Sequence, residues 1–172
     1  YNKSVELYSD HKEEDFSLTI LNNRGKKLLE YKPEPLNNKK TPEPAKAIKS
    51  PQEINSVEKL YLAGLHLEQY RHATFNPTDY YLEALNREPD NIQNNNSMGM
   101  WLLRHGRFDL AEPYFRKAIK TITTHNPNPY DGEPFYNLGL CFFYQEKLDE
   151  AYNYFYKSIW NSAWQENGYF QL

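Results

Sequence analysis

The 172-residue chain has few of the features that signal chemistry. Its single cysteine, Cys141, rules out an internal disulfide. No HExxH or CxxC occurs, and His66, His72, His105 and His125 do not fall at zinc-ligand spacing. A Gly-rich phosphate loop is also missing. No apolar run approaches the length of a membrane span. The net charge is −3 with no basic stripe, which argues against a nucleic-acid partner. These absences leave no catalytic residue, metal ligand or cofactor site to nominate. Tyrosine, by contrast, is abundant, with 15 copies.

Two stretches share one register. In residues 98–118 Gly99 is followed by Ala111, Phe115 and Ala118, and in residues 138–158 Gly139 is followed by Ala151, Phe155 and Ser158. The offsets are 12, 16 and 19 in both. Within each second half, spacings of 4 and 7 put these residues on one helical face. This pattern resembles the tetratricopeptide repeat, a helix–turn–helix unit that stacks into a solenoid. The resemblance implies that each glycine lies where paired helices approach, with the later Ala and Phe filling the seam. A third copy upstream uses Gly64, Tyr81, Ala84 and Pro89, with 20 residues from Gly64 to Ala84. The extra residue is placed in the turn 72–79, and Pro77 or Thr78 takes the small position. The pattern starts again at Glu166, with Tyr169 and Leu172 as its first apolar positions. The expected fold is mainly all-α, about three repeats plus a truncated fourth, with a short N-terminal β segment.

Residues 1–32 read as strands at 4–10, 16–22 and 26–31, with a hairpin turn at Asn22–Gly25 and Gly25 at positive φ. They are expected to be a remnant of an upstream β-domain. Residues 33–54 read as a linker, with Pro33, Pro35, Pro42, Pro44 and Pro51 favouring extended chain. Residues 55–172 form the repeat domain. Asn55, Asp90 and Asp131 are the expected helix caps, and the last full helix is expected over 148–163. Pro113 is tolerable in the first turns of its helix. Gly99 and Gly139 are 40 residues apart, against about 34 in the usual repeat, so 123–131 is an insertion that could form part of a binding rim. Glu146, Asp149 and Glu150 read as a helix start, not a catalytic cluster. The sequons at Asn2 and Asn95 are discounted.

The resemblance implies that the first helix of each repeat lines a concave face. On it the outward positions are Glu58, Tyr61, Glu68 and Gln69, then Gln93, Asn96, Leu103 and Arg104, then Glu133, Tyr136, Phe143 and Tyr144. A clamp for a peptide's terminal carboxylate, used by some members, is disfavoured, because Asn96 and Arg104 face Glu58 and Glu133. Two segments, YLAGLHLEQYRHATFNPTDYYLEALNREPDN and HNPNPYDGEPFYNLGLCFFYQEKLDEA, resemble large bacterial proteins with a galactose-mutarotase-like β-sandwich ahead of the repeats. This implies a bacterial, carbohydrate-related parent.

The leading expectation is a non-catalytic interaction scaffold for a peptide, a partner domain or the parent's own β-domain. The alternative is an accessory part of a glycan-active enzyme, with Tyr136, Phe143 and Tyr144 stacking on sugars. The lone cysteine fits a cytoplasmic origin. The chain reads as a piece of a longer protein, and residues 165–172 are expected to expose Tyr169, Phe170 and Leu172 and so favour self-association.

Overall fold

The computed structural model describes residues 12, 15–33, 43–44, 46–71 and 73–172. The chain divides into two compact units, 1–46 and 47–172. In the first, strands β1 (Leu18–Leu21) and β2 (Lys27–Tyr31) pair antiparallel with a register slip between Ile20 and Leu21. The turn is tied by the Asn22 side chain, whose Oδ1 accepts from the amides of Arg24 and Lys26 at 2.9 and 2.8 Å. Gly25 takes φ 74°, a left-handed conformation that suits a residue without Cβ. Strand β1 is shorter at both ends than the expected 16–22, and β2 starts one residue later than the expected 26–31. The expected strand at 4–10, and residues 34–42 and 45 of the proline-rich stretch, lie outside the described residues.

The second unit is helical: α1 (Val57–Tyr70), α2 (Pro77–Arg87), α3 (Ile92–Arg104), α4 (Phe108–Ile122), α5 (Glu133–Phe143), α6 (Leu148–Ser158) and α7 (Gln165–Gln171). Consecutive helices pack as the pairs α1/α2, α3/α4 and α5/α6. The pairs stack so that α1 touches α3 and α3 touches α5. This is the tetratricopeptide solenoid, and α7 begins the next turn of it.

The reason for the pairing is visible at the glycines. A methyl on Gly64 would lie 2.5 Å from the ring of Tyr81, on Gly99 2.6 Å from Phe115, and on Gly139 2.6 Å from Phe155. Each ring occupies the space that a side chain at the glycine would need. Ala84, Ala111, Ala118 and Ala151 are buried along the same seams. Burying each large ring is worth about 1.5–3 kcal/mol against leaving it in water. Tyr81, Phe115 and Phe155 belong to one continuous core, while Leu60, Leu67, Tyr80 and Ala84 form a smaller one at the first pair. Cys141 is buried in the larger core and its thiol donates to the Phe108 carbonyl at 3.3 Å.

Several boundaries differ from the sequence expectation. Ser56, not Asn55, caps α1, its hydroxyl accepting from Lys59 N. Asn91, not Asp90, caps α3 and accepts from Asn94 N at 3.1 Å. Gly132 stands at the cap of α5, and Asp131 accepts from Glu133 N at 2.9 Å one residue earlier. Each shift is a single residue, within the reach of a short polar side chain that can bond either of two exposed amides. Helix α1 ends at Tyr70 and α2 starts at Pro77. Helix α6 stops at Ser158 instead of continuing to 163. Gly168 of α7 seats directly against Ile159 and Ser158, and a longer α6 would run through that contact. Asn161 then caps a single 3-10 turn at Ser162–Trp164.

The insertion folds back along the third pair. Lys157 Nζ donates to Asn128 Oδ1 at 2.6 Å, and Asn161 Nδ2 donates to the Tyr130 carbonyl. Trp164 Nε1 donates to Asp131 Oδ1 at 3.2 Å. At the other end, residues 47–56 pack on the first pair: Tyr80 donates its hydroxyl proton to the Lys49 carbonyl at 2.9 Å, and Arg87 Nη1 donates to the Ile54 carbonyl at 2.5 Å.

Candidate functional site

The helices α1, α3 and α5 run side by side on one face, and a cavity of about 120 Å³ opens where they meet. Of the expected groove residues it gathers Tyr61 and Glu68 from α1, Gln93, Asn96 and Arg104 from α3, and Glu133 from α5. Asp131 joins them from the insertion. Sequence spacing gave no reason to include Asp131 in the groove. The clue was the insertion itself, which ends one residue before the cap of α5.

The polar groups form a connected set. Arg104 Nη1 donates to Glu68 Oε1, and the Tyr81 hydroxyl donates to Glu68 Oε2 at 2.9 Å. The buried amide of Asn137 donates to Asn96 Oδ1 at 3.0 Å. Burial pushes the Glu133 carboxyl above its ordinary range and Asp131 adds repulsion, while the two amides and Arg104 oppose the shift. Burial likewise raises Tyr61, with Glu133, Asp131 and Glu68 adding to it. Tyr81 is raised by burial and by Glu68. The cavity is therefore negative: three carboxylates face one guanidinium.

The remaining candidates lie elsewhere. Glu58 and Gln69 are exposed on α1 and do not line the cavity. Tyr136 is half-buried between the rings of Phe155 and Trp164, at 5.5 and 5.1 Å, and its hydroxyl accepts from Gln171. Phe143 and Tyr144 are exposed at the end of α5, their rings 72° apart, with Tyr144 stacked on Phe108 at 5.5 Å. Leu103 is buried in the core, because the end of α3 turns that position toward α4. Asp149 and Glu150 occupy the first turn of α6, as a helix start requires. Among the described residues no group of three His, Cys, Asp or Glu could hold a metal ion. Of the described helices none is long and apolar enough to cross a membrane.

No family model matches the chain. Among solved structures, MamA 41-end from Desulfovibrio magneticus RS-1 is similar with a TM-score of 0.50 and 22% identity, over 62% of this chain and 56% of that one. A MamA RS-1 ArsTM double mutant gives 0.49 and 22%, over 63% and 57%. The match spans little more than half of the MamA chain, and at such identity it bears on the fold alone.

Proposed function

We propose that the repeats act as a protein-interaction scaffold, taking a peptide or extended partner segment on the face of α1, α3 and α5. The segment it favours carries a basic side chain. The observation behind this reading is the cavity at the centre of that face, where Glu68, Asp131 and Glu133 outnumber Arg104. Glu133 is charged only against a desolvation cost, and a lysine or arginine entering the cavity offsets that cost. A charge-assisted hydrogen bond of this kind contributes about 1.5–3 kcal/mol. Tyr61 offers a ring beside the same opening.

The sugar-stacking alternative gains little from the geometry, because Tyr136 is engaged by Phe155 and Trp164 and the rings of Phe143 and Tyr144 are not coplanar. A carbohydrate-related parent rests on the sequence resemblance alone. No turnover is proposed for this chain, and glycoside hydrolysis by the pure protein would contradict that.

The reading is tested by selecting peptides from a random library on the immobilised protein. Enrichment of Lys or Arg at one position is expected. Binding of a selected peptide should fall tenfold or more in an Asp131→Asn/Glu133→Gln variant that keeps its helical signal. Peptides without a basic preference, or with unchanged affinity for the variant, would refute the proposal.

A further inference from the structure

A second, larger hollow of about 530 Å³ opens beyond the turn end of the groove. It is lined by the last turns of α1 and α3 and the first residue of α2 and is open to solvent on one side. Its charge is opposite to that of the groove cavity. Arg71, Arg104 and His105 line it against the single carboxylate of Glu68, and Glu68 is already engaged by Arg104 and by the Tyr81 hydroxyl. Trp101 and Pro77 supply apolar wall.

Three details give the hollow the character of a site. Arg71 closes α1 in the left-handed conformation, φ 48° and ψ 54°, its amide bonded to the Leu67 carbonyl. Gly or Asn is the usual residue there, since Cβ is crowded. Among the described residues no side chain pairs with its guanidinium. Next, the imidazole of His105 lies stacked on the indole of Trp101, centroids 3.9 Å apart and planes 25° from parallel. His105 Nδ1 is 2.6 Å from the Trp101 carbonyl. A carbonyl only accepts, so Nδ1 carries the proton and Nε2 is left for a ligand. Finally, the volume falls within the roughly 300–1,000 Å³ of small-molecule sites, well above what a bare phosphate fills.

We infer that this hollow binds a phosphate attached to a flat aromatic group. Arg71 and Arg104 take the phosphate oxygens in the forked geometry that guanidinium favours, and the ring lies against the wall formed by Trp101. A phosphotyrosine side chain and a nucleoside monophosphate share this chemistry. The site shares Arg104 and Glu68 with the groove, but it does not depend on a peptide occupying the groove.

The test follows the indole N–H signal of Trp101 by NMR, assigned with Trp101→Phe, while phenyl phosphate is added to the protein. A saturable shift is expected, with inorganic phosphate at least fivefold weaker. Arg71→Gln, and Arg71→Asn as a second variant suited to the left-handed backbone, should weaken phenyl phosphate tenfold or more while leaving the Trp160 and Trp164 signals in place. Phosphotyrosine and adenosine monophosphate, added separately, then identify the source by which binds tighter. Glu133→Gln, which weakens the groove, should not weaken phenyl phosphate, since it removes a negative charge that interacts with Arg104, and this separates the two sites. No shift at tens of millimolar phenyl phosphate would overturn the inference. So would equal affinity for inorganic phosphate, or indifference to both Arg71 variants.

Discussion

Replacing Gly99 with alanine places a methyl 2.6, 2.8 and 2.9 Å from Cε1, Cδ1 and Cζ of Phe115. Carbon atoms prefer about 3.5–4.0 Å, so the overlap is close to an ångström. Phe115 is fully buried between α3 and α4, leaving its ring no open side. Either α3 lifts off α4 or the ring leaves its rotamer. Such overpacking costs about 1–3 kcal/mol, and three ring atoms in conflict place it toward the upper end. Alanine returns about 1 kcal/mol through its better helix propensity. The net loss is about 1–2 kcal/mol, a fall in Tm of about 3–6 °C for a chain of this size. Phe115→Leu alone should also destabilise, by about 1–2 kcal/mol, because it leaves a void. In the double variant the methyl occupies part of that void, so the two losses should fall short of their sum by at least about 1 kcal/mol. Denaturant unfolding of the four proteins measures this coupling. If the losses add to within about 0.5 kcal/mol, the glycine is not there to admit the ring, and the account of all three repeat seams fails with it.

Glu146 sits at φ 61° in the turn between α5 and α6, so Glu146→Gly should stabilise by about 0.5–1 kcal/mol in thermal melts once glycine's own entropy is counted. Burial pushes the Cys141 thiol up to about 11, with repulsion from Glu112 adding to it, so a disulfide reagent at pH 8 should label the folded protein only at the rate of unfolding. The Glu133 carboxyl is raised in the folded state, so the fold binds its proton more tightly than the unfolded chain. Stability from this group is complete below about pH 4.3 and is lost as pH rises through the folded value. Glu133→Gln should therefore melt at a higher temperature than wild type at neutral pH, with the difference shrinking in acid. Tyr169 and Phe170 on α7 are 63% and 86% exposed. Sedimentation should show concentration-dependent self-association that a Tyr169→Ser/Phe170→Ser variant abolishes, and a wild-type monomer at high concentration would count against it.

The repeat seams were legible in the sequence because they are short-range. Gly99, Ala111, Phe115 and Ala118 fall within two adjacent helices, and helical periodicity alone puts them on facing sides. Helix starts were legible to within a residue for the same reason. The early end of α6 was not, because it depends on Gly168, which arrives from the following helix. Groove residues could be assigned to a face but not to a common cavity. Tyr61, Gln93, Asn96, Arg104 and Glu133 gather there, while Tyr136 is drawn between Phe155 and Trp164.

By itself the sequence determined which helices form, how they pair and which glycines admit which rings, since each of these is fixed by residues a few turns apart. Only the tertiary structure decided the charge pattern of the surface. Arg104 meets Glu68, Asn137 meets Asn96 and Trp164 meets Asp131 across 33 to 41 residues of chain. The stacking of the pairs sets which of these side chains meet. That stacking leaves three carboxylates in one cavity and, in the next, the Arg71 guanidinium, which no side chain pairs with among the described residues. Side-chain pairing between helices depends on their offset and crossing, which no local periodicity encodes.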